Sequence, residues 1–449
     1  MSFPPLLVEI DLASQVEPPR EEVRRAARAG VLLVVAGGAA GVLNLLFNVV
    51  VARRGGVANY GAIGSLLTVV TVVGIVTTGF QYGIARQAAV STKTATQLIR
   101  PALRSVAPWA TGALLLAALA WPLSGFLRLP SLAPVLLIAA VAAASVFWAA
   151  LSGLLVGLQR FRVIAGLGVG AALLRLGLGF LVGRGADAVA ITLVISLVGL
   201  GTSFLAGLLF LIRGAPSTNA RPAGPGADAT EARPGTAGLL GAVIAGALWT
   251  VWGLPVLFAR HLLHPAAAGD FAATQLLAGA LIWGTGPLVT AFFPTIARLR
   301  ARRAFVYGEL ATLVLAVAGA AVLTLVGPML FQRLYGSSFG VSRQVLAVLA
   351  ISAIAAACAT FAAWSAMAGR AHIGRVLVAL LTALGAEVAW DLLGAHSPTS
   401  LAAAPAVSLL VGGVAFAAAS RRRVSRSAET VVPPMDAATL APAPLRGER

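Results

Sequence analysis

Long apolar runs separated by short polar segments dominate the chain from Val31 to Ala419. A helical run of about 18 apolar residues or more is long enough to cross roughly 30 Å of hydrocarbon. Twelve such runs are present: residues 31–51, 59–83, 106–126, 132–157, 163–183, 188–212, 238–259, 269–295, 308–331, 342–367, 373–394 and 401–419. The pattern predicts an all-α polytopic membrane protein with about 12 transmembrane helices in two six-helix lobes.

The polar segments set the predicted domain boundaries. Residues 213–237 are rich in Pro, Gly, Ala and Thr and have no helical period. Such a composition favours a flexible linker, here joining an N-terminal lobe (31–212) to a C-terminal lobe (238–419). Residues 1–30 are predicted as a cytoplasmic N-terminal segment and residues 420–449 as a cytoplasmic disordered tail.

Composition excludes a soluble enzyme. The chain is 59% hydrophobic and 11% charged, whereas soluble domains average about 45–50% and about 25%. A net charge of +18 is typical of nucleic-acid binders, but these basic residues form short clusters between apolar runs. Charges placed in this way indicate membrane topology, and we expect no nucleic-acid partner. The single cysteine, Cys358, excludes an intramolecular disulfide and a multi-cysteine metal site.

The distribution of basic residues predicts the orientation. Of the 33 lysines and arginines, 25 lie in segments on the same side as the N-terminus, seven lie on the other side and Arg175 lies within a span. Cytoplasmic loops carry the excess of Lys and Arg. We therefore expect a multi-pass protein of the plasma membrane with both termini in the cytoplasm.

Residues 49–87 and 255–299 resemble each other. Each segment ends one span with Ala-Arg, crosses a short Gly-containing loop with an aromatic residue and ends the next span with Ile-Ala-Arg. The paired positions are Arg53 and Arg260, Tyr60 and Phe271, Arg86 and Arg298. Six spans separate the copies, which predicts a parallel pseudo-two-fold repeat about the membrane normal. Chance similarity between two Ala-rich segments is the alternative.

Several of these residues carry a family resemblance. The positions are Asn44–Arg53 leading to Tyr60 and Gly61, then Gly79 to Arg86, Gly157–Phe161, Gly269–Phe271 and Pro294. With them the chain resembles the multidrug/oligosaccharidyl-lipid/polysaccharide exporter superfamily, specifically its prokaryotic polysaccharide (O-antigen type) flippase branch. The resemblance implies two six-helix lobes around a cavity that opens alternately to either side. It also implies transport of lipid-linked sugars to the outer leaflet. Many members have fourteen spans, whereas twelve are present here.

Arginines are the candidate substrate-binding residues, because such a substrate carries an anionic phosphate or pyrophosphate. The planar guanidinium binds phosphate bidentately and stays charged almost anywhere. Arg175 lies near the middle of a span, where a charge is costly and must face water or the bundle interior. Further candidates are Arg53 and Arg260 at outer ends and Arg86 and Arg298 at cytoplasmic ends. The alternatives are snorkelling or a structural partner for Arg175, lipid or helix-end contacts for the outer pair, and topology anchoring for the inner pair.

Acidic and helix-breaking residues suggest coupling and gating sites. Glu387 and Asp391 are four residues apart and share one helix face, so they are candidates for binding a proton or sodium ion. A fixed pair between Glu387 and Arg175 is the structural alternative, and Asp391 is close to the outer interface. Kink or gate candidates occur in two spans: Pro255, Gly284, Gly286 and Pro287.

These features together favour a flippase that moves a polyprenyl phosphate- or pyrophosphate-linked oligosaccharide from the inner to the outer leaflet by alternating access. The expected partners are that lipid-linked saccharide, membrane lipids and a polysaccharide polymerase or glycosyltransferases. A cation-coupled multidrug exporter, a membrane-embedded glycosyltransferase and a non-transporting scaffold of a polysaccharide synthesis complex are the alternatives. We find no nucleophile–base pair, phosphate loop or complete metal-ligand set, and so predict no enzyme activity and no cofactor.

Cysteine labelling checks the predicted orientation. In a Cys358→Ser background, Ser217→Cys in the linker should react with a membrane-permeant maleimide. It should resist an impermeant one in intact cells, because the linker is expected in the cytoplasm. Labelling of this cysteine by the impermeant reagent would contradict the orientation.

Overall fold

The computed structural model describes most of the chain. The described residues are 20–91, 93–185, 187–213, 234–299, 302–368, 373–394 and 397–429. Within them, side chains are described except at positions 20–30, 34, 90, 234–240, 285–299, 302–304, 366–368, 373 and 417–429.

Helices make up the described part of the chain, which contains no strand. They are α1 (Arg20–Gly55), α2 (Val57–Val90), α3 (Ala95–Leu114), α4 (Ala120–Phe126), α5 (Ala133–Gly157), α6 (Phe161–Gly179), α7 (Ala188–Arg213), α8 (Pro234–Leu262), α9 (Pro265–Leu299), α10 (Arg302–Tyr335), α11 (Arg343–Ala368), α12 (Ile373–Leu393) and α13 (Pro398–Glu429). A 3₁₀ turn, Leu115–Leu119, joins α3 to α4. Twelve helical segments in this part are long and apolar enough to span a membrane. The predicted fold class is confirmed.

Several helix ends differ from the prediction. The third span runs from Ala95 to Phe126 through the 3₁₀ turn, starting about three turns before the predicted position 106 because Thr94 and Gln97 form a capping box there. Tyr60 lies in the first turn of α2 and Phe271 in the second turn of α9, not in loops as predicted. The polar tail predicted from position 420 begins as a helix, since α13 continues to Glu429. Positions 214–233 of the linker lie outside the described residues.

The chain forms two compact units. The first contains residues 1–243, 264–273 and 330–340, and the second contains residues 244–263, 274–329 and 341–449. Helices α9 and α10 are therefore each divided between the two units.

Helix α5 forms the core of the first unit, where it packs against α2, α3 and α7. Small residues bring α5 and α2 close together. A Cβ at Gly153 would lie 2.6 Å from the carbonyl oxygen of Gln81, and a Cβ at Gly157 would lie 2.4 Å from the carbonyl oxygen of Ala85. Lipid offers no hydrophobic drive for helix association, so such close packing stabilises membrane helix pairs. Helix α6 lies between α1 and α7, which places Arg175 among three helices.

The segment Gly157–Phe161 forms the turn from α5 to α6. Gln159 has a positive φ of 56°, and the Arg160 amide donates to the Leu155 carbonyl at 2.8 Å, as in a helix-ending Schellman motif. The Arg160 guanidinium donates to the Phe210 carbonyl at 2.9 Å, which attaches the turn to α7. The motif that carried part of the resemblance thus has a local structural role.

In the second unit, α13 packs against both α11 and α12. A Cβ at Gly412 would lie 2.6 Å from the Ala379 carbonyl oxygen, so α13 and α12 also touch through small residues. The Ser352 hydroxyl donates to the Ala402 carbonyl at 2.6 Å and ties α11 to α13. Glu387 and Asp391 of α12 lie in this buried part of the unit.

Candidate functional site

Arg175 lies beside a cavity of about 110 Å³ inside the first unit. Helices α1, α5, α6 and α7 contribute its lining: Asn44, Trp148, Gly168, Ala171, Ala172, Arg175, Gly199, Leu200 and Ser203. The asparagine, serine and arginine make part of the wall polar. Arg175 therefore lies among helices of the first unit, where a charge in the middle of a span needs polar neighbours.

Neutral groups hold the Arg175 guanidinium in place. Its Nη1 donates to Asn44 Oδ1 at 3.0 Å, and its Nη2 donates to the Ser196 hydroxyl at 3.4 Å. The guanidinium carbon lies 4.6 Å from the centre of the Phe47 ring, a cation–π contact. Three helices therefore fix the direction of this side chain.

The positive charge of Arg175 has no ionic partner within the described part of the chain. Its Nε is buried and makes no hydrogen bond there, and the contacts of its other nitrogens are to neutral oxygens. A desolvated cation with an unused donor beside a polar cavity attracts an anion, and guanidinium suits a phosphate. The arrangement can bind a small anionic group.

Hydrogen bonds along α1 extend from this cavity to the start of α2. Asn44 accepts from Arg175 through its side chain, and its carbonyl accepts from Asn48 Nδ2 at 2.8 Å. Asn48 Oδ1 in turn accepts from the Tyr60 hydroxyl at 3.3 Å. We refer to Arg175, Asn44, Asn48 and Tyr60 as the polar chain.

The helix-end arginines occupy different surroundings. Arg53 is exposed and donates to the carbonyls of Arg333 and Leu334 at the end of α10, rather than to its own helix. Arg260 is buried in the last turn of α8. Arg86 is exposed on α2, and the side chain of Arg298 lies outside the described residues. Arg53, Arg86 and Arg260 are not among the residues of the described part of the chain that line the Arg175 cavity.

The two carboxylates of α12 are deeply buried. Glu387 has 0% and Asp391 1% of its surface exposed. Within the described residues, none of their four oxygens has a hydrogen-bond donor in place, although the Ser408 hydroxyl of α13 lies next to Glu387. Two neighbouring carboxylates cannot both stay charged when they are buried away from water. A buried pair of this kind is therefore suited to holding a proton or binding a cation.

The predicted kink positions do not interrupt their helices. Helix α8 continues through Pro255, and α9 continues from Pro265 to Leu299. Close to Pro255, the Trp252 carbonyl accepts a hydrogen bond from the Gln275 side-chain amide of α9. Gly284 is exposed, and Gly286 and Pro287 lie where side chains are not described.

Sequence reasoning missed most partners of the candidate groups. Asn44, Phe47 and Ser196 support Arg175, Ser408 lies beside Glu387, and Glu309 is a further partly buried carboxylate. The one sequence signal for such partners is an asparagine or glutamine inside an apolar run, because polar side chains within spans form hydrogen bonds with neighbouring helices. Serines are too common in these helices to be selected in this way.

Comparison with known proteins places the fold. The chain matches no protein-family model, and no curated protein matches it significantly in sequence. Among solved structures, it is similar to a multidrug resistance MATE family transporter of the MOP superfamily in an inward-facing conformation. The TM-score is 0.66 and the identity 13%, over 89% of this chain and 100% of that chain.

Two other solved structures give the same fold. The lipid II flippase MurJ in an inward closed conformation has a TM-score of 0.61 and 10% identity, over 87% of each chain. An outward-facing MATE family transporter of the MOP superfamily has a TM-score of 0.54 and 14% identity, over 90% of this chain and 96% of that chain. At these identities the similarity establishes the fold alone, which this chain shares with those two MATE family transporters and with MurJ.

A glycine on α7 offers a test of the Arg175 cavity. A Cβ at Gly199 would lie 2.8 Å from Arg175 Cγ, whereas one at Gly201 would meet nothing within 4 Å. Inorganic pyrophosphate at ten times its Kd should stabilise the parent protein by about 1.4 kcal/mol. Gly199→Ala should weaken this stabilisation by displacing the arginine, Arg175→Gln should remove it, and Gly201→Ala should leave it intact.

The measurement is the thermal unfolding midpoint of the purified protein with and without pyrophosphate. An equal rise of the midpoint in the parent, Gly199→Ala and Arg175→Gln proteins would contradict anion binding at this cavity.

Proposed function

We propose that this protein is a membrane transporter that moves a lipid-linked oligosaccharide with a phosphate or pyrophosphate headgroup from the inner to the outer leaflet. The observation that carries the proposal is Arg175, a cation held by neutral partners beside a polar cavity. The fold shared with MATE transporters and with the flippase MurJ supports transport as the activity. In this proposal the protein lies in the plasma membrane with both termini in the cytoplasm.

The headgroup contacts follow from the geometry of the cavity. The free Nε of Arg175 offers a donor to a phosphate oxygen, while the amide of Asn44 and the hydroxyl of Ser203 line the same space. At about 110 Å³ the cavity is small. It suits the charged part of the cargo, while the polyprenyl tail remains in the lipid. Arg53, Arg260, Arg86 and Arg298 then act at helix ends, outside this cavity.

The buried carboxylates supply a candidate power source. Glu387 and Asp391 have no hydrogen-bond donor among the described residues, so proton or sodium binding would relieve the cost of burying their charge. A cation taken up from one side and released to the other would couple transport to the gradient across the membrane. The kink candidates Pro255, Gly284, Gly286 and Pro287 lie on α8 and α9, where bending would accompany such a change.

A cation-coupled multidrug exporter is the second candidate. Two observations favour it: the buried acidic pair and the TM-score of 0.66 to a MATE family transporter. An exporter of cationic drugs needs acidic groups for its cargo, whereas the cavity in the first unit carries an arginine. Transport of an organic cation that depends on Glu387 and Asp391 but not on Arg175 would favour the exporter.

Substitution of Arg175 tests the flippase. Arg175→Ala should reduce flipping of a fluorescent polyprenyl-pyrophosphate saccharide in proteoliposomes by about 10–100-fold, because a charged hydrogen bond is worth about 1.5–3 kcal/mol. Arg175→Lys should restore the rate only in part, since an ammonium cannot bind bidentately. Flipping at the parent rate by the Ala variant would remove Arg175 from the mechanism.

Arg104→Ala is the matched control. Arg104 is an exposed arginine of α3, so this variant loses the same charge and should flip at the parent rate. Equal thermal unfolding midpoints of the parent, Arg175→Ala, Arg175→Lys and Arg104→Ala proteins would show that the effect is not one of folding.

Substitution of Glu387 tests the coupling. Glu387→Gln keeps the shape of the side chain but cannot exchange a proton, so transport should lose its dependence on an imposed proton or sodium gradient. The control is Asp187→Asn, which changes an exposed carboxylate just before α7 and should leave the dependence unchanged. If the transport rate of the Glu387→Gln variant falls as much as that of the parent when the gradient is dissipated, coupling at this residue is excluded.

A further inference from the structure

Arg175 supplies the charge of its cavity. Among the described residues that line the wall, Arg175 is accompanied by asparagine, tryptophan, glycine, alanine, leucine and serine, whose side chains are all neutral. The sequence contains no aspartate or glutamate between Glu22 and Asp187, a stretch that includes most of α1 and all of α2 to α6. The described part of the cavity therefore carries a single positive charge.

The next cations on the lining helices lie several turns away from the cavity. Helix α5 contains no charged residue, and Arg213 lies in the last turn of α7. On α1, Arg53 follows Asn44 by nine positions, and on α6, Arg162 precedes Arg175 by 13 positions. At about 1.5 Å per residue, these separations are about 14 Å and about 20 Å along the helix axes. Along these helices, an anion in the cavity thus has Arg175 as its compensating charge.

The size of the cavity is close to that of one phosphate group. Its volume is about 110 Å³, whereas an apolar cavity that binds benzene, with six heavy atoms, measures about 150 Å³. A phosphate group has five heavy atoms, and a pyrophosphate group has nine. A single phosphate therefore fits between the walls, while the second phosphate of a pyrophosphate would have to lie outside them.

Arg175 and Asn44 each retain a donor for such a group. Arg175 Nε is buried and has no hydrogen-bond partner in the described part of the chain. Asn44 accepts from Arg175 through Oδ1, so its side-chain nitrogen remains a donor. The Ser203 hydroxyl already donates to the Gly199 carbonyl at 2.9 Å. A phosphodiester has two non-ester oxygens, one for each of the two donor side chains.

Charge compensation separates the two kinds of lipid headgroup. A phosphodiester carries one negative charge, and a pyrophosphate with one ester on each phosphate carries two. Beside Arg175, the phosphodiester leaves no net charge, whereas the pyrophosphate leaves one negative charge without a partner. An uncompensated charge is costly to bury away from water.

We infer that the Arg175 cavity selects a lipid carrier joined to its sugar through a single phosphate, in preference to one joined through a pyrophosphate. This inference rests on the proposed function and narrows its cargo to a polyprenyl phosphodiester of a sugar. The charge and the volume of the cavity are separate properties, and both favour the single phosphate.

Two soluble headgroup analogues test this selectivity. They are dimethyl phosphate, with one charge, and dimethyl pyrophosphate with one methyl group on each phosphate, with two charges. Isothermal titration of the purified full-length protein should give a Kd for dimethyl phosphate at least about tenfold lower, which corresponds to about 1.4 kcal/mol. Arg175→Gln should abolish the binding of dimethyl phosphate, because the compensating charge is lost.

A second cation in the wall should reverse the preference. Leu200 lines the cavity and is partly exposed, so Leu200→Lys adds a charge on a side chain of similar length. This variant should bind the pyrophosphate analogue more tightly than dimethyl phosphate. Leu200→Met is the matched control, since it changes the side chain without adding a charge and should keep the preference of the parent.

The outcomes separate this inference from the proposed function. If the parent protein binds the pyrophosphate analogue as tightly as dimethyl phosphate, or more tightly, the inference is overturned. The proposed function then stands, because either headgroup satisfies it. If a folded Leu200→Lys variant keeps the preference of the parent, charge compensation is not its cause and the inference also fails. Binding of neither analogue would contradict the headgroup site itself, and with it the observation that carries the proposed function.

Discussion

A polar group inside hydrocarbon must find its partner within the protein, because no water reaches it. Most polar side chains of the described spans obey this constraint by bonding to a carbonyl one turn earlier, as Thr192 does with Ala188 and Ser145 with Val141. Gln275 bonds to a carbonyl of a neighbouring helix near a proline. The charged exceptions among the described residues are Arg175 Nε, Glu309 Oε2 and the oxygens of Glu387 and Asp391. For Arg175 we propose cargo as the missing partner, and for Glu387 and Asp391 a cation.

The hydropathy pattern was sufficient to predict the helices. Twelve spans and their order followed from run length alone, since a span must be both apolar and long. Helix ends were less predictable: the capping of α3 at Thr94 and the extension of α13 to Glu429 depend on local hydrogen bonds and helix propensity. Arg175 could be selected because a charge in the middle of a span is rare. Its contacts with Asn44, Phe47 and Ser196 could not be predicted. They depend on how three helices pack, and the spacing of residues along the chain does not determine that packing.

The similarity between residues 49–87 and 255–299 extends to where the helices end, but not to the surroundings of the matched side chains. Arg53 and Arg260 match in sequence, yet Arg53 is exposed and bonded to α10, whereas Arg260 is 8% exposed within α8. Similar backbones thus place the same residue in different surroundings. The cation of interest lies in the first unit and the acidic pair in the second. The charged side chains inside the two units therefore differ: Arg175 lies in the first unit, and Arg260, Glu387 and Asp391 lie in the second.

The polar chain has a thermodynamic consequence. Arg175, Asn44, Asn48 and Tyr60 are joined by successive contacts, and Tyr60 packs against the aromatic rings of Tyr335 and Phe339. Coupling between two sites is reciprocal by thermodynamic linkage. If an anion beside Arg175 changes the strength of the Tyr60 packing by a given factor, that packing changes the affinity for the anion by the same factor. Under the proposed function, the affinity of the Arg175 cavity for its anionic cargo would therefore depend on how tightly the aromatic rings pack at the other end of the polar chain.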